Sequence, residues 1–170
     1  MNKMVLYILF ATIIMFFFSC NPTENNVPEF SAKLINTTDC KTFTILKNNK
    51  IEGDTPSNLD CFEYSFTNNV LLIKHINSGF NCCPGKLTAD IIKTGNILEI
   101  SEKEESPGCH CNCLFDFDYE IKGLGNTIYH IKFIEPYKLP YEQPLEADID
   151  LSKNNQGKVC VERKHYPWKD

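Results

Sequence analysis

The feature that most constrains this chain is a run over residues 109–121, Cys109-His110-Cys111-Asn112-Cys113-Leu114-Phe115-Asp116-Phe117-Asp118-Tyr119-Glu120-Ile121, which alternates position by position. Side chains at i, i+2 and i+4 of a β-strand share a face. Read as one strand, the run lines one side with Cys109, Cys111, Cys113, Phe115, Phe117, Tyr119 and Ile121. His110, Asn112, Asp116, Asp118 and Glu120 line the other. The three sulfurs then share the aromatic face, which points to buried, oxidised, structural cysteines and away from a displayed metal or redox site. A strand of this length would span about 43 Å, well past the usual size. A bulge or bend is therefore expected near Cys113.

The start of the chain carries an address. Met1-Asn2-Lys3 is a short positive region, and residues 4–18 form an apolar run broken only by Tyr7 and Thr12. As a helix this run reaches roughly 22 Å, short of the roughly 30 Å hydrocarbon core. Residues 1–19 therefore read as a cleaved signal peptide and not as an anchor helix. The run ends in Phe17-Phe18-Ser19-Cys20 and turns polar at Asn21. This ending resembles the lipobox of bacterial lipoproteins, whose last residue is the cysteine that is acylated and becomes the mature N-terminus. Ser19 and Cys20 match that pattern; Phe17 and Phe18 stand where Leu and a small residue are usual. The resemblance implies a lipid on Cys20 and a membrane as first partner. Asn21 is not the Asp associated with inner-membrane retention, so an outer-membrane destination is expected.

Residues 20–28, polar with two prolines, read as a tether, and residues 29–170 as the folded domain. The mature chain has about 150 residues, enough for one domain that buries roughly 68–70% of its unfolded surface. The whole chain has 17 basic and 22 acidic residues; losing Lys3 with the signal leaves 16 and 22, a net charge of −6. No basic cluster is present, which excludes nucleic acid as the expected partner.

Cysteine arithmetic is sharper. Setting Cys20 aside leaves eight, at Cys40, Cys61, Cys82, Cys83, Cys109, Cys111, Cys113 and Cys160. An even number in an exported protein is the signature of a disulfide framework. Eight cysteines allow 105 pairings, and the sequence does not choose among them. Strand neighbours two apart lie about 6.6 Å from each other, whereas a disulfide brings Cβ atoms to about 3.8 Å. Cys109, Cys111 and Cys113 therefore need partners on other segments. Cys82 and Cys83 point to opposite faces of an extended backbone and should take different partners. The central group has five members, so at least one bridge must leave it for Cys40, Cys61 or Cys160.

A metal site is the alternative, using Cys82, Cys83, Cys109, His110, Cys111 and Cys113 as ligands for zinc or cuprous copper. The paired Cys-x-x-Cys knuckles of common zinc modules are missing, and no cofactor is expected. A thiol-disulfide oxidoreductase would need Cys-x-x-Cys at a helix N-terminus, and the chain has neither. There is no Gly-x-Ser-x-Gly and no suggestive grouping of Ser, His and acid, so no enzyme is expected. Asp116, Asp118 and Glu120 lack a calcium-loop signature and read as the solvated face of a strand. Tyr137, Tyr141, Tyr166 and Trp168 read as edge packing, with a sugar platform as the alternative. His75, His110, His130 and His165 are scattered.

Elsewhere the chain shows short alternating runs between turn signals, with no convincing amphipathic helix. Strands are expected at 30–35, 42–46, 61–66, 70–76, 87–92, 97–101, 127–133, 145–151 and 158–162. Thr67-Asn68-Asn69 marks one hairpin and Thr94-Gly95-Asn96 another. Residues 77–85 read as a turn-rich connection. The long strand is expected to turn back into 127–133, and 145–151 to pair with 158–162. This pattern indicates a single-domain antiparallel β-sandwich, Ig-like or related, with an open β-barrel as the alternative.

Phe80-Asn81-Cys82-Cys83-Pro84, followed by Cys109-His110-Cys111-Asn112-Cys113-Leu114-Phe115-Asp116 and the apolar strand to Ile121, is similar to small cysteine-rich lipoproteins of Gram-negative bacteria. The resemblance covers about residues 61–135 and implies a cell-envelope address without a chemistry. The function expected is a lipid-anchored, disulfide-stabilised, non-catalytic binding or structural module, whose partner is a protein or a glycan.

Overall fold

The computed structural model describes residues 29–41 and 55–164. The expected signal peptide and tether, Cys20, the expected strand at 42–46, His165, Tyr166 and Trp168 lie outside the described residues. The described residues form nine strands and no helix: β1 (Ser31–Thr37), β2 (Leu59–Thr67), β3 (Val70–Asn81), β4 (Lys86–Thr94), β5 (Ile97–Glu105), β6 (Asn112–Lys122), β7 (Ile128–Ile134), β8 (Glu146–Asp150) and β9 (Gln156–Glu162). They make a five-stranded sheet in the order β1-β6-β3-β2-β9 and a four-stranded sheet in the order β4-β5-β7-β8. No strand pairs across the two sheets, so the fold is a β-sandwich and not an open barrel.

Local chemistry explains the hairpins. Asn68 and Asn69 both hold positive φ, 52° and 60°. Such a two-residue turn matches the twist of its flanking strands, and asparagine tolerates the left-handed region better than most residues. It joins β2 to β3, and Gly95, at φ 59°, lies in the turn between β4 and β5.

Two expected pairings are corrected. β6 does not fold back onto β7, which lies in the other sheet and pairs parallel to β5 and antiparallel to β8. β8 and β9 likewise sit in different sheets, β9 pairing with β2. The four-stranded sheet is thus mixed and not purely antiparallel. Parallel pairing of β5 and β7 requires a crossover, and β6 supplies it by passing through the opposite sheet.

The long strand is also corrected. β6 begins at Asn112, and its inward side is formed by Cys113, Phe115, Phe117, Tyr119 and Ile121, all in the core. Cys109 and Cys111 precede the strand and are half-buried and exposed. They leave the aromatic face because regular pairing ends where Asn81 of β3 meets Asn112. The irregularities lie in the neighbours of β6: the register shifts between Ile76 and Ser78 of β3 and between Leu34 and Asn36 of β1. Asn77, at φ 71°, is the extra residue in β3. This bulge absorbs the turn signal at residues 77–79 inside a strand and turns Ser78 and Phe80 inward after His75.

The core between the sheets is aromatic. Phe62, Phe80, Phe117 and Tyr119 from one sheet meet Phe133 and the apolar faces of β5 and β7 from the other. Phe62 and Phe133 lie 5.6 Å apart between ring centres, within the range of favourable aromatic pairs. At the edge, Gly157 of β9 lies opposite Tyr64, and a Cβ there would stand 2.6 Å from the ring.

Candidate functional site

Two polar features interrupt this core: a pair of cystines at one end and a buried ionic cluster between the sheets. All eight cysteines among the described residues are bridged. Cys40 joins Cys113, Cys61 joins Cys160, Cys82 joins Cys111, and Cys83 joins Cys109. Cys82 and Cys83 take different partners, and Cys113 leaves the central group to fasten the segment after β1 onto β6. Cys61 and Cys160 face each other across β2 and β9. In the bridged state none of these sulfurs is a thiolate, the form in which a metal is held, so His110 alone of the six metal candidates offers an ordinary ligand atom.

The double-cystine end is organised by Asn81, the last residue of β3. Its buried side chain accepts from the amides of Cys83, at 2.9 Å, and Cys109, at 3.2 Å, through Oδ1, and donates through Nδ2 to the carbonyl of Cys109 at 2.6 Å. The Cys82 amide donates to the Cys111 carbonyl at 3.0 Å and that of Gly108 to the Cys83 carbonyl at 3.1 Å. The two cysteine loops are therefore held together by backbone and amide bonds as well as by sulfur. The sulfurs of Cys82, Cys109 and Cys111 lie within 4.8 Å of one another.

The ionic cluster is assembled from both sheets. His75 of β3 is fully buried, with Nε2 2.7 Å from Asp60 Oδ1 of β2 and Nδ1 2.6 Å from Glu102 Oε1 of β5. Glu102 also accepts from Tyr119 of β6 and Ser78 of β3, each at 2.5 Å. Arg163, just after β9, donates to Asp60 Oδ2 through Nε at 2.9 Å and Nη2 at 2.5 Å, and to Glu135 Oε2 at 2.6 Å. Its Nη1 donates to the Gln143 carbonyl. The Phe133 ring covers His75 at 4.4 Å.

Burial opposes charge on His75, yet the Glu102 and Asp60 carboxylates on either side hold its pKa well above 6.5. Burial also opposes charge on Asp60, but His75 and Arg163 hold its carboxyl below the usual range. For Glu135, burial and the neighbouring Asp60 push the pKa well up, and its Oε1 has no hydrogen-bond partner among the described residues. With Glu135 protonated, the direction in which burial pushes it, two cations, His75 and Arg163, face two carboxylates, Asp60 and Glu102. This balance is what a charge cluster in a low-dielectric core requires. Burial and Glu102 raise the Tyr119 pKa as well, keeping the phenol a donor.

A general acid or base must come within hydrogen-bond reach of its substrate. Asp60, His75 and Glu102 are each at most 2% exposed, so the cluster is enclosed. Its oxygens and imidazole also bracket a metal-sized grouping, Asp60, His75 and Glu135, but the guanidinium of Arg163 already supplies the cation there.

The remaining sequence candidates are dispersed. Asp116 is buried and not solvated, paired with Lys41 and, at 3.3 Å, Lys74. Glu120 pairs with Lys33 and Lys122, each at 3.1 Å, and Asp118 accepts from Asn36. Tyr137 packs edge-on against Phe80 at 6.3 Å, and burial with its bond to Glu104 pushes its pKa up to about 12. Tyr141 is exposed, and His130 pairs with Asp148 on the surface. A shallow groove on the outer face of the five-stranded sheet runs between Ile35, Tyr64 and Leu72.

Asp60, Ser78, Glu102, Glu135 and Arg163 do not stand out as site residues in their local sequence. A signal existed: Arg163 is the only arginine beside sixteen lysines, and arginine is the cation suited to buried, forked pairing.

Comparison with protein-family models, curated proteins and solved structures gives no match.

Proposed function

We propose that this chain is a lipid-anchored lipoprotein of the cell envelope, acting there as a non-catalytic binding or structural module held by disulfides. The observation that supports this reading is the cysteine ledger. Every cysteine from Cys40 to Cys160 has a partner, which leaves Cys20 as the odd sulfur at the end of the signal-like run. Four bridges belong to an oxidising compartment, and an odd cysteine there calls for a separate role. The enclosure of Asp60, His75 and Glu102 supports a structural and not a catalytic use of these groups. Recognition of a protein or glycan then falls to the outer surface.

The test is the intact mass of the envelope-extracted protein, for the wild type and for Cys20→Ser. A mature N-terminus at Cys20 carrying acyl chains, lost in the variant with the domain still folded, is expected. A mature protein starting elsewhere, or an unmodified Cys20, overturns the reading.

A further inference from the structure

We propose that the double-cystine end is a redox-gated metal site: when reduced, Cys82, Cys83, Cys109 and Cys111 become a thiolate set for one zinc or cuprous ion. This goes beyond the lipoprotein reading and does not depend on it.

Three observations converge. First, access differs among the four bridges. Each has one exposed member, Cys40, Cys160, Cys83 or Cys111, but at the double-cystine end the second member, Cys82 or Cys109, is half-buried, whereas Cys61 and Cys113 are 0% and 2% exposed. Thiol–disulfide exchange requires a thiolate to reach a sulfur, and only at the double-cystine end are both cysteines of a bridge open to a reductant. Second, the loops do not depend on sulfur for their approach. The β3–β6 ladder runs to Asn81 and Asn112, and the Asn81 side chain bonds to both loops. Third, three sulfurs already lie within 4.8 Å of one another. Tetrahedral zinc with bonds of about 2.3 Å places its sulfurs roughly 3.8 Å apart, so on reduction the bonded Cys82–Cys111 pair parts by a short step while Cys109 is already in reach. Cys83, bonded to Cys109, is the fourth ligand.

The chemistry balances with a dithiol as reductant. One of its thiolates attacks an exposed sulfur, Cys111 or Cys83, to give a mixed disulfide and release the partner cysteine. Its second thiol displaces the remaining cysteine and closes the reductant's own disulfide. Each bridge thereby gains two electrons and two protons. Metal binding then expels one proton from each thiol that becomes a ligand. Cys113 is outside the set because its sulfur is buried and joined to Cys40, and this narrows the ligands expected from sequence.

The experiment uses the full mature chain, extracted oxidised in detergent. Limited treatment with dithiothreitol, anaerobic desalting and alkylation with mass mapping should label Cys82, Cys83, Cys109 and Cys111 before the other four. The same reduced sample, given cobalt(II) and then zinc, should show the thiolate-to-cobalt charge-transfer band, lost again as zinc displaces cobalt at one ion per chain. Cys109→Ser should weaken binding at least about tenfold, and the pair Cys40→Ser with Cys113→Ser should leave it unchanged. Circular dichroism of each reduced sample checks that the sandwich persists. Simultaneous reduction of all four bridges, unfolding on reduction of these two, or a reduced folded chain without a thiolate band would each overturn the proposal.

Discussion

Nδ1 of His75 on β3 lies 2.6 Å from Oε1 of Glu102 on β5, the point at which the two sheets are joined by an ion pair. Among the described residues no backbone ladder links the sheets, so this contact, the Ser78 and Tyr119 bonds to the same carboxylate and the apolar packing around them set how they sit on one another. Removing one partner of a buried pair leaves an uncompensated charge, at a cost of about 3–5 kcal/mol.

His75→Gln should therefore lower stability by about that amount. Urea denaturation followed by intrinsic fluorescence measures it. A loss below about 1 kcal/mol, the level of an exposed pair, would show that the cluster is not the tie between the sheets.

Stability should fall as pH rises. His75 has a folded pKa above 6.5, so its contribution is complete below 6.5 and is lost as pH climbs through the folded value. Glu135 is also raised, so it acts in the same direction, starting from 4.5. Asp60 is lowered and acts oppositely, its contribution disappearing as pH falls below 3.8. Each proton retained only by the folded state gives a slope of about 1.4 kcal/mol per pH unit. Denaturant midpoints measured from pH 6.5 upward should decline, and a flat profile would contradict the charged His75.

Gly157→Val should destabilise the domain by about 1–3 kcal/mol, because the new side chain meets the Tyr64 ring across the β2–β9 pair. In a Tyr64→Ala background the same substitution should cost much less. Equal costs in both backgrounds would place the strain elsewhere.

Replacing Cys61 and Cys160 together by alanine should cost about 2–5 kcal/mol, since that bridge closes a separation of 99 residues and fastens β9, whose only sheet neighbour among the described residues is β2. Hydrogen exchange should quicken first in β9. Exchange that quickens instead in β5 and β7 would mean the bridge stabilises through a different route.

Much of the fold was legible because alternation is local. The apolar positions of residues 113–121, the Asn68-Asn69 turn and the turn at Gly95 each depend on a few neighbours, and each kept its conformation. The pairing of β7 with β5, and of β9 with β2, was not legible, because a strand's partner is chosen by burial against the whole sandwich. A turn signal between two runs reads the same whether the chain folds back or crosses to the other sheet. For the same reason Asn77-Ser78-Gly79 read as a turn, while the β6 ladder and the bond from the Asn77 side chain to the Leu59 carbonyl of β2 hold it in a bulged strand.

What the chain determined alone was its all-β character, its even set of eight cysteines after Cys20, and the inward face of β6. Only the tertiary structure decided which sulfurs met, because disulfides join positions 26 to 99 residues apart. It also decided that Asp60, His75, Glu102, Glu135 and Arg163 share one dry site. Each holds an inward or end position that looks harmless in its own segment, and the charges acquire meaning only when two sheets close over them and water is excluded.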